Sequence, residues 1–152
     1  MNFNLIKIFA ISLAAVGLIG CTISTPVVKS GGFESLSNTD PSKGEIFVYR
    51  DKNFAGAANQ YDVMVNGVIA GSLPNGSFFN VAADPGENKV EPKTFTNYNF
   101  GKGSVISVEK GKPYCLKLTL NFCMQCKSAD INVVDTIQCE NEIKSLNKVE
   151  LK

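Results

Sequence analysis

Five cysteines and no histidine set the chemistry open to this 152-residue chain. Without imidazole there is no Ser-His-Asp or Cys-His nucleophile system and no imidazole metal site. With Cys21 set apart for reasons given below, Cys115, Cys123, Cys126 and Cys139 remain. Four thiols suit three chemistries. An even set in an exported domain reads as two disulfides, with three possible pairings. Cys123-Met124-Gln125-Cys126 could instead be a thiol-disulfide exchange pair, since the C-x-x-C spacing can depress a thiol pKa. Such pairs work from a helix N-terminus in an α/β fold, whereas this one follows a strand pattern and precedes Lys127-Ser128-Ala129-Asp130. Four thiolates could also hold zinc, but the intervals of seven, two and twelve residues lack the paired knuckles of C-x2-C sites. The expectation is disulfides, with no metal and no cofactor. A hairpin centred near Lys127 would place Cys115 and Cys139 equally far from its tip, which favours that pair and leaves Cys123 with Cys126. The longer loop is worth roughly 3 to 4 kcal/mol in the chain-entropy account.

Other chemistry-bearing residues read as turns. Gly101-Lys102-Gly103-Ser104 lacks the G-x-x-x-x-G-K-[ST] order of a phosphate loop and is expected at a hairpin tip. Asp84, Glu87 and Glu91 could pair for glycoside chemistry, but solvated turn acids are the simpler reading. No catalytic residue is assigned and the chain does not read as an enzyme.

The fifth cysteine belongs to an N-terminal segment with a different purpose. Lys7 is followed by a nearly uninterrupted apolar run of twelve residues, Ile8 to Ile19, and then Gly20-Cys21. That run is shorter than the roughly 20 residues needed to span a bilayer, and its layout is that of an export signal. Leu18-Ile19-Gly20-Cys21 resembles the lipobox of bacterial lipoproteins. The resemblance implies cleavage after residue 20 and acylation of Cys21, with several acyl chains giving the stable anchoring that one chain does not. Thr22, where an inner-membrane retention signal commonly has Asp, implies the periplasm-facing leaflet of the outer membrane. Removal of Lys7 from the fifteen Lys and Arg balances the fourteen Asp and Glu. A neutral chain with Arg50 as its one arginine lacks the basic stripe that nucleic acid requires. The partners expected are therefore the membrane, through the lipid anchor, and an envelope protein or glycan.

The elements that must position these residues read as follows. Residues 21–44 carry Pro26, Gly31-Gly32, Ser37-Asn38-Thr39 and Pro41 and read as a lipidated tether with a span of roughly 25 Å; Val27-Val28 or Phe33 could alternatively pair onto the sheet. Residues 45–152 form one domain of short period-two runs separated by turn signals, the pattern of an antiparallel β-sandwich or small barrel. Strands are expected at Ile46 to Tyr49, Tyr61 to Asn66, Val68 to Ser72, Ser77 to Ala82, Asn88 to Val90, Ser104 to Glu109, Tyr114 to Asn121 and Ile131 to Gln138. Asn66-Gly67 and Asn75-Gly76 are strong hairpin turns because both residue types tolerate positive φ. Only Glu140 to Leu146 reads as a helix, with Ile143 and Leu146 on one face. The fold class is thus mostly β, a sandwich with a short C-terminal helix after a signal peptide and tether.

Ile46-Phe47-Val48-Tyr49-Arg50, Phe54-Ala55-Gly56-Ala57, Asp62-Val63, Val65-Asn66-Gly67, Gly71 with Leu73, Asn75-Gly76 with Phe78-Phe79, and Pro85-Gly86 together resemble a family of small bacterial lipoproteins with a domain of unknown function. The later part of that string is also similar to PEGA-like β-sandwich modules of envelope proteins, which implies binding or spacing rather than catalysis. The cysteine cluster is not part of either pattern. Phe78-Phe79 cannot both face one side of a strand, so one ring could be exposed: Phe79 facing solvent beside Tyr61 or Tyr98 would form an aromatic patch for a partner, whereas a sandwich edge or the tether would otherwise cover it. The function expected is a lipid-anchored binding or structural module of the envelope; the alternative is a thiol-disulfide active envelope protein using Cys123 and Cys126.

Overall fold

The computed structural model describes residues 28–29, 32–93, 101–122 and 127–151. Its strands are β1 Val28–Lys29, β2 Gly44–Arg50, β3 Tyr61–Val65, β4 Val68–Leu73, β5 Ser77–Ala83, β6 Gly86–Lys93, β7 Ser104–Val108, β8 Pro113–Phe122, β9 Lys127–Val134 and β10 Asn147–Val149, with one helix, α1, Thr136–Ile143. They form two sheets, one of six strands in the order β1-β10-β5-β2-β8-β9 and one of four in the order β4-β3-β6-β7. This is the mostly β sandwich with a short helix near the C-terminus that the periodicity predicts. The larger sheet is mixed: β2 runs parallel to β8, and β10 parallel to β5.

The turn chemistry explains the β3–β4 hairpin, whereas Asn75-Gly76, expected as a second hairpin turn, carries the chain from β4 in one sheet to β5 in the other. Asn66 at φ 51° and Gly67 at φ 81° give the β3–β4 connection its two left-handed residues, the geometry that matches the twist of the flanking strands.

Alternation along the strands sorts the core into two layers. Ile46, Val48, Phe79, Leu116, Leu118 and Ile131 of the six-stranded sheet meet Val63, Leu73, Val90, Ile106 and Val108 of the other sheet. The opposite face of the same strands presents Phe47, Tyr49, Phe78 and Cys115, and these are covered by Cys139 and Ile143 of α1, by Leu146, and by Phe33 and Leu36. The central strand β2 is therefore buried at every position. It reads as an unbroken run rather than an alternating one because both of its faces are inside.

This second layer bears on three expectations. Phe79 is not a surface residue: it is 0% exposed between the sheets, while Phe78 is 1% exposed on the other face. The two rings do point oppositely, as alternation requires, but both sides of the sheet are covered. Part of the segment expected as a tether joins the fold. β1 pairs antiparallel with β10 through Val28↔Val149 and Lys29↔Lys148. Phe33 sets its ring edge-on to Phe47 at 6.5 Å and to Phe78 at 6.0 Å. The helix starts earlier than expected, at Thr136 rather than Glu140, so residues 136 to 138 are helix and not strand. Asp135 decides this: its carboxylate accepts from the Gln138 amide and caps the helix. That start puts Cys139 and Ile143, four residues apart, on the buried face.

Candidate functional site

Cys115 and Cys139 form a disulfide with a Cα–Cα separation of 6.1 Å. The expected pairing is present, but by a different geometry. Cys115 lies opposite Val134 in the β8–β9 ladder, and Cys139 is on α1, so the bond ties the helix to the sheet rather than one strand to its neighbour. Both cysteines are buried, at 1% and 0% exposure. The bond takes both thiols out of any four-cysteine zinc set. Cys123 and Cys126 lie outside the described residues, in the four-residue connection between β8 and β9.

Beside the disulfide, α1 closes a polar cluster over the end of β2. Tyr49 and Lys117 are register partners in the parallel β2–β8 pair, so both point to the helix side. Glu142 on α1 accepts from the Tyr49 hydroxyl at 2.7 Å, from Lys117 Nζ at 2.7 Å and, through its other oxygen, from Gln138 Nε2 at 2.9 Å. Lys117 Nζ also meets Asp51 Oδ2 at 2.6 Å and stands 5.7 Å from the Tyr49 ring centre. Partial burial pushes the Glu142 carboxyl up, but the hydrogen bonds from Lys117, Tyr49 and Gln138 outweigh it and hold the pKa down at about 2. Burial, and then the Glu142 carboxylate, push the Tyr49 hydroxyl well above its ordinary value. Burial alone would lower Lys117; its two carboxylate partners more than offset that and raise it. All three groups are thus locked in the forms that bond one another. The cluster fixes the helix and has no group poised to exchange a proton near neutral pH.

Arg50, at the end of β2, faces the other way. It is 2% exposed, with its guanidinium carbon 5.0 Å from the centre of the Tyr61 ring. Nη1 donates to the carbonyls of Asn59 at 2.6 Å and Leu73 at 3.5 Å, and Nη2 to that of Gly56 at 2.8 Å. Its Nε–H is buried without a partner. Among the described residues these acceptors are neutral carbonyls, so the charge is held by dipoles and an aromatic face rather than by a carboxylate. Burial accordingly lowers its pKa.

A notch of about 90 Å³ opens at this point, lined by Arg50, Asp51, Asn53, Lys117, Leu118, Thr119 and Leu120. It exists because β2 stops short. β2 pairs with β8 only as far as Lys117, whereas β9 pairs with β8 as far as Phe122. On the other side of β2, β5 begins at Ser77, opposite Arg50. The β8–β9 arm therefore extends past the rest of its sheet. In the sequence Arg50 stands out as the lone arginine and as the end of Ile46-Phe47-Val48-Tyr49-Arg50, not as a site residue. Its signal was positional: two residues beyond Val48, it shares the core-facing side of β2 with Ile46 and Val48.

The remaining sequence candidates fall as follows. Tyr61 is half-buried under the Arg50 guanidinium rather than joined to Phe79 in a surface patch. Tyr98 and Cys21 lie outside the described residues. Asp84 pairs with Lys43 at 3.2 Å and Glu91 with Lys89 at 2.8 Å, each a surface ion pair. Gly101 to Gly103 ends the connection of the antiparallel β6–β7 pair and leads into β7 at Ser104. It runs against β9, with the Ile131 amide donating to the Lys102 carbonyl at 2.8 Å and Ser104 Oγ to the Ile131 carbonyl at 2.7 Å. Any Cβ on Gly101 would fall 1.7 Å from the Ala129 carbonyl oxygen. Glycine is needed there for close backbone approach, not for cradling phosphate.

A protein-family model described as "Protein of unknown function (DUF2846)" matches residues 40–130. The matched stretch reaches from just before β2 into β9, and leaves α1, Cys139 and β10 beyond its end. Neither the curated proteins nor the solved structures yield a match to the chain.

Proposed function

Since the chain belongs to the DUF2846 family of proteins of unknown function, we propose from its own residues that it is a lipid-anchored binding or structural module of the bacterial envelope, without catalysis of its own. The observation that carries this reading is the buried Cys115–Cys139 bond in a chain that carries Leu18-Ile19-Gly20-Cys21 after an apolar run. Disulfides persist in oxidising compartments, and the lipobox-like segment is an address to one. The two features lie at opposite ends of the sequence and arise from unrelated chemistry, so their agreement supports export independently. The sandwich architecture is in keeping with a PEGA-like spacing or binding module of a lipoprotein family. The reading places the domain in the periplasm, held to the outer membrane through acylated Cys21, with an envelope protein or glycan as its partner. Residues 22–27 then separate the anchor from the first strand, β1.

The test is the intact mass and membrane partition of the chain expressed in a bacterium, beside Cys21→Ala. The proposal expects a mature N-terminus at Cys21 carrying acyl chains, and a variant that leaves the membrane fraction. A native chain that keeps Met1, or a variant that stays membrane-bound, would overturn it.

A further inference from the structure

The notch beside the outer half of β8 is, we propose, a docking lane for the C-terminal end of an extended peptide, whose terminal carboxylate lies at the Arg50 end. This deepens the binding-module reading by naming a partner chemistry, and it does not depend on the lipid anchor. Two independent features meet there. One is a strand position that no described strand fills. From Leu118 to Phe122, β8 has β9 on one side, while β2 on the other has already ended at Arg50. An added strand in line with β2 would satisfy main-chain groups along that edge, the recognition mode of strand addition. The second is the unneutralised charge at the closed end. The buried Arg50 donates to three neutral carbonyls and leaves Nε–H without a partner. Asp51, its neighbour in sequence, is bonded instead to Lys117.

A carboxylate is the group that suits a planar guanidinium with a donor to spare, because it supplies the missing counter-charge and accepts from the fork of N–H groups. Direction follows from topology. β2 and β8 run parallel, with β2 ending at the notch. A peptide that continues the β2 lane and presents its last residue to Arg50 must therefore run antiparallel to both. Leu120 and Thr119 supply an apolar and a polar neighbour on alternate sides of the lane. The segment from Asp51 to Asn59 closes the Arg50 end, since Arg50 holds it through the Gly56 and Asn59 carbonyls.

The test is a titration of the 15N-labelled full chain in detergent micelles with N-acetyl-Thr-Val-Thr-Val as free acid, with the same peptide as its C-terminal amide, and with acetate. The free acid is expected to shift the Arg50 Nε–H resonance and the backbone amides of Leu118 to Leu120 saturably. The amide is expected to bind at least tenfold more weakly, and acetate to leave the β8 amides unmoved. Thr119→Glu, which adds a like charge at the half-buried rim, is expected to weaken the acid at least tenfold, with resonances remote from the notch unchanged. Equal binding of acid and amide would remove the carboxylate role, and an acetate response matching the peptide would leave an anion site without a strand lane. Either result, or no shift at Arg50 and β8, overturns the proposal. None of these outcomes bears on acylation of Cys21, which is read from its mass.

Discussion

Replacing both cysteines of the helix clasp, as Cys115→Ala with Cys139→Ala, is the perturbation whose magnitude the structure defines best. The bond closes a loop with a sequence separation of 24. In the chain-entropy account, opening a loop of that length restores about 3.5 kcal/mol of freedom to the unfolded state. Alanine is the right replacement, because serine would place an unpaired hydroxyl in an apolar layer formed by Phe47, Tyr49, Phe78 and Ile143. Loss of the two sulfurs adds a small packing term of about 1 kcal/mol in total. Against this stands the burial of Ile143 and Leu146 in the same layer, each worth about 1.5 to 3 kcal/mol. These contacts hold α1 on the sheet without the covalent bond. The variant is therefore expected to keep its fold and cooperative unfolding while losing about 3.5 to 4.5 kcal/mol, and for a domain of this size that lowers Tm by about 10 to 16 °C. The assay is urea unfolding followed by circular dichroism, with thermal melts alongside, on oxidised native chain and variant. A loss under about 1 kcal/mol would refute the loop-closure argument. A two-step transition in the variant would refute the claim that the noncovalent contacts, the apolar ones and those of Glu142 to Tyr49 and Lys117, keep the helix docked.

Three further outcomes follow from particular contacts. Phe79→Ala removes a ring that is 0% exposed between the sheets and is expected to destabilise by about 3 to 5 kcal/mol in urea; a change under about 0.5 kcal/mol would return Phe79 to the surface. Glu142 has its pKa lowered to about 2 from the ordinary 4.5, so its contribution is complete above pH 4.5 and is lost as pH falls toward about 2. Glu142→Gln should consequently flatten stability over that acid window, and an unchanged slope between native and variant would contradict the Lys117 and Tyr49 bonds. Asp135→Ala removes the cap that accepts from the Gln138 amide at 2.9 Å and should cost about 1 kcal/mol, read as a shift in the urea midpoint at constant slope.

Much of this molecule was determined locally, and that part was legible in its residues. Asn66-Gly67 turns the chain at positive φ wherever the strands lie, because the preference resides in the two residues themselves. Period-two runs from Tyr61 to Ala83 fixed three strands nearly to the residue. The Cys115–Cys139 pairing was also reached from sequence, although through a hairpin symmetry that the fold does not use. The start of α1 was not read from sequence: Asp135 caps it, but the apolar run before it masked the point where strand gives way to helix.

What only the tertiary structure decided was which faces have a second cover. Alternation assigns Phe78 and Phe79 to opposite sides of β5, and no local rule reveals that α1 and the segment around Phe33 bury the outer side as well. Burial is a property of what arrives from elsewhere in the chain, here from residues about 45 positions earlier and 60 later. The same holds for the notch. Arg50 could be seen at the end of an apolar run, but its isolation from carboxylates depends on the carbonyls of Gly56, Asn59 and Leu73 reaching it first. The lane beside Leu118 that no described strand fills depends on how far β9 outruns β2 along β8. Strand lengths are set by local residues; their register, and hence the gap, is set only when non-neighbouring strands meet.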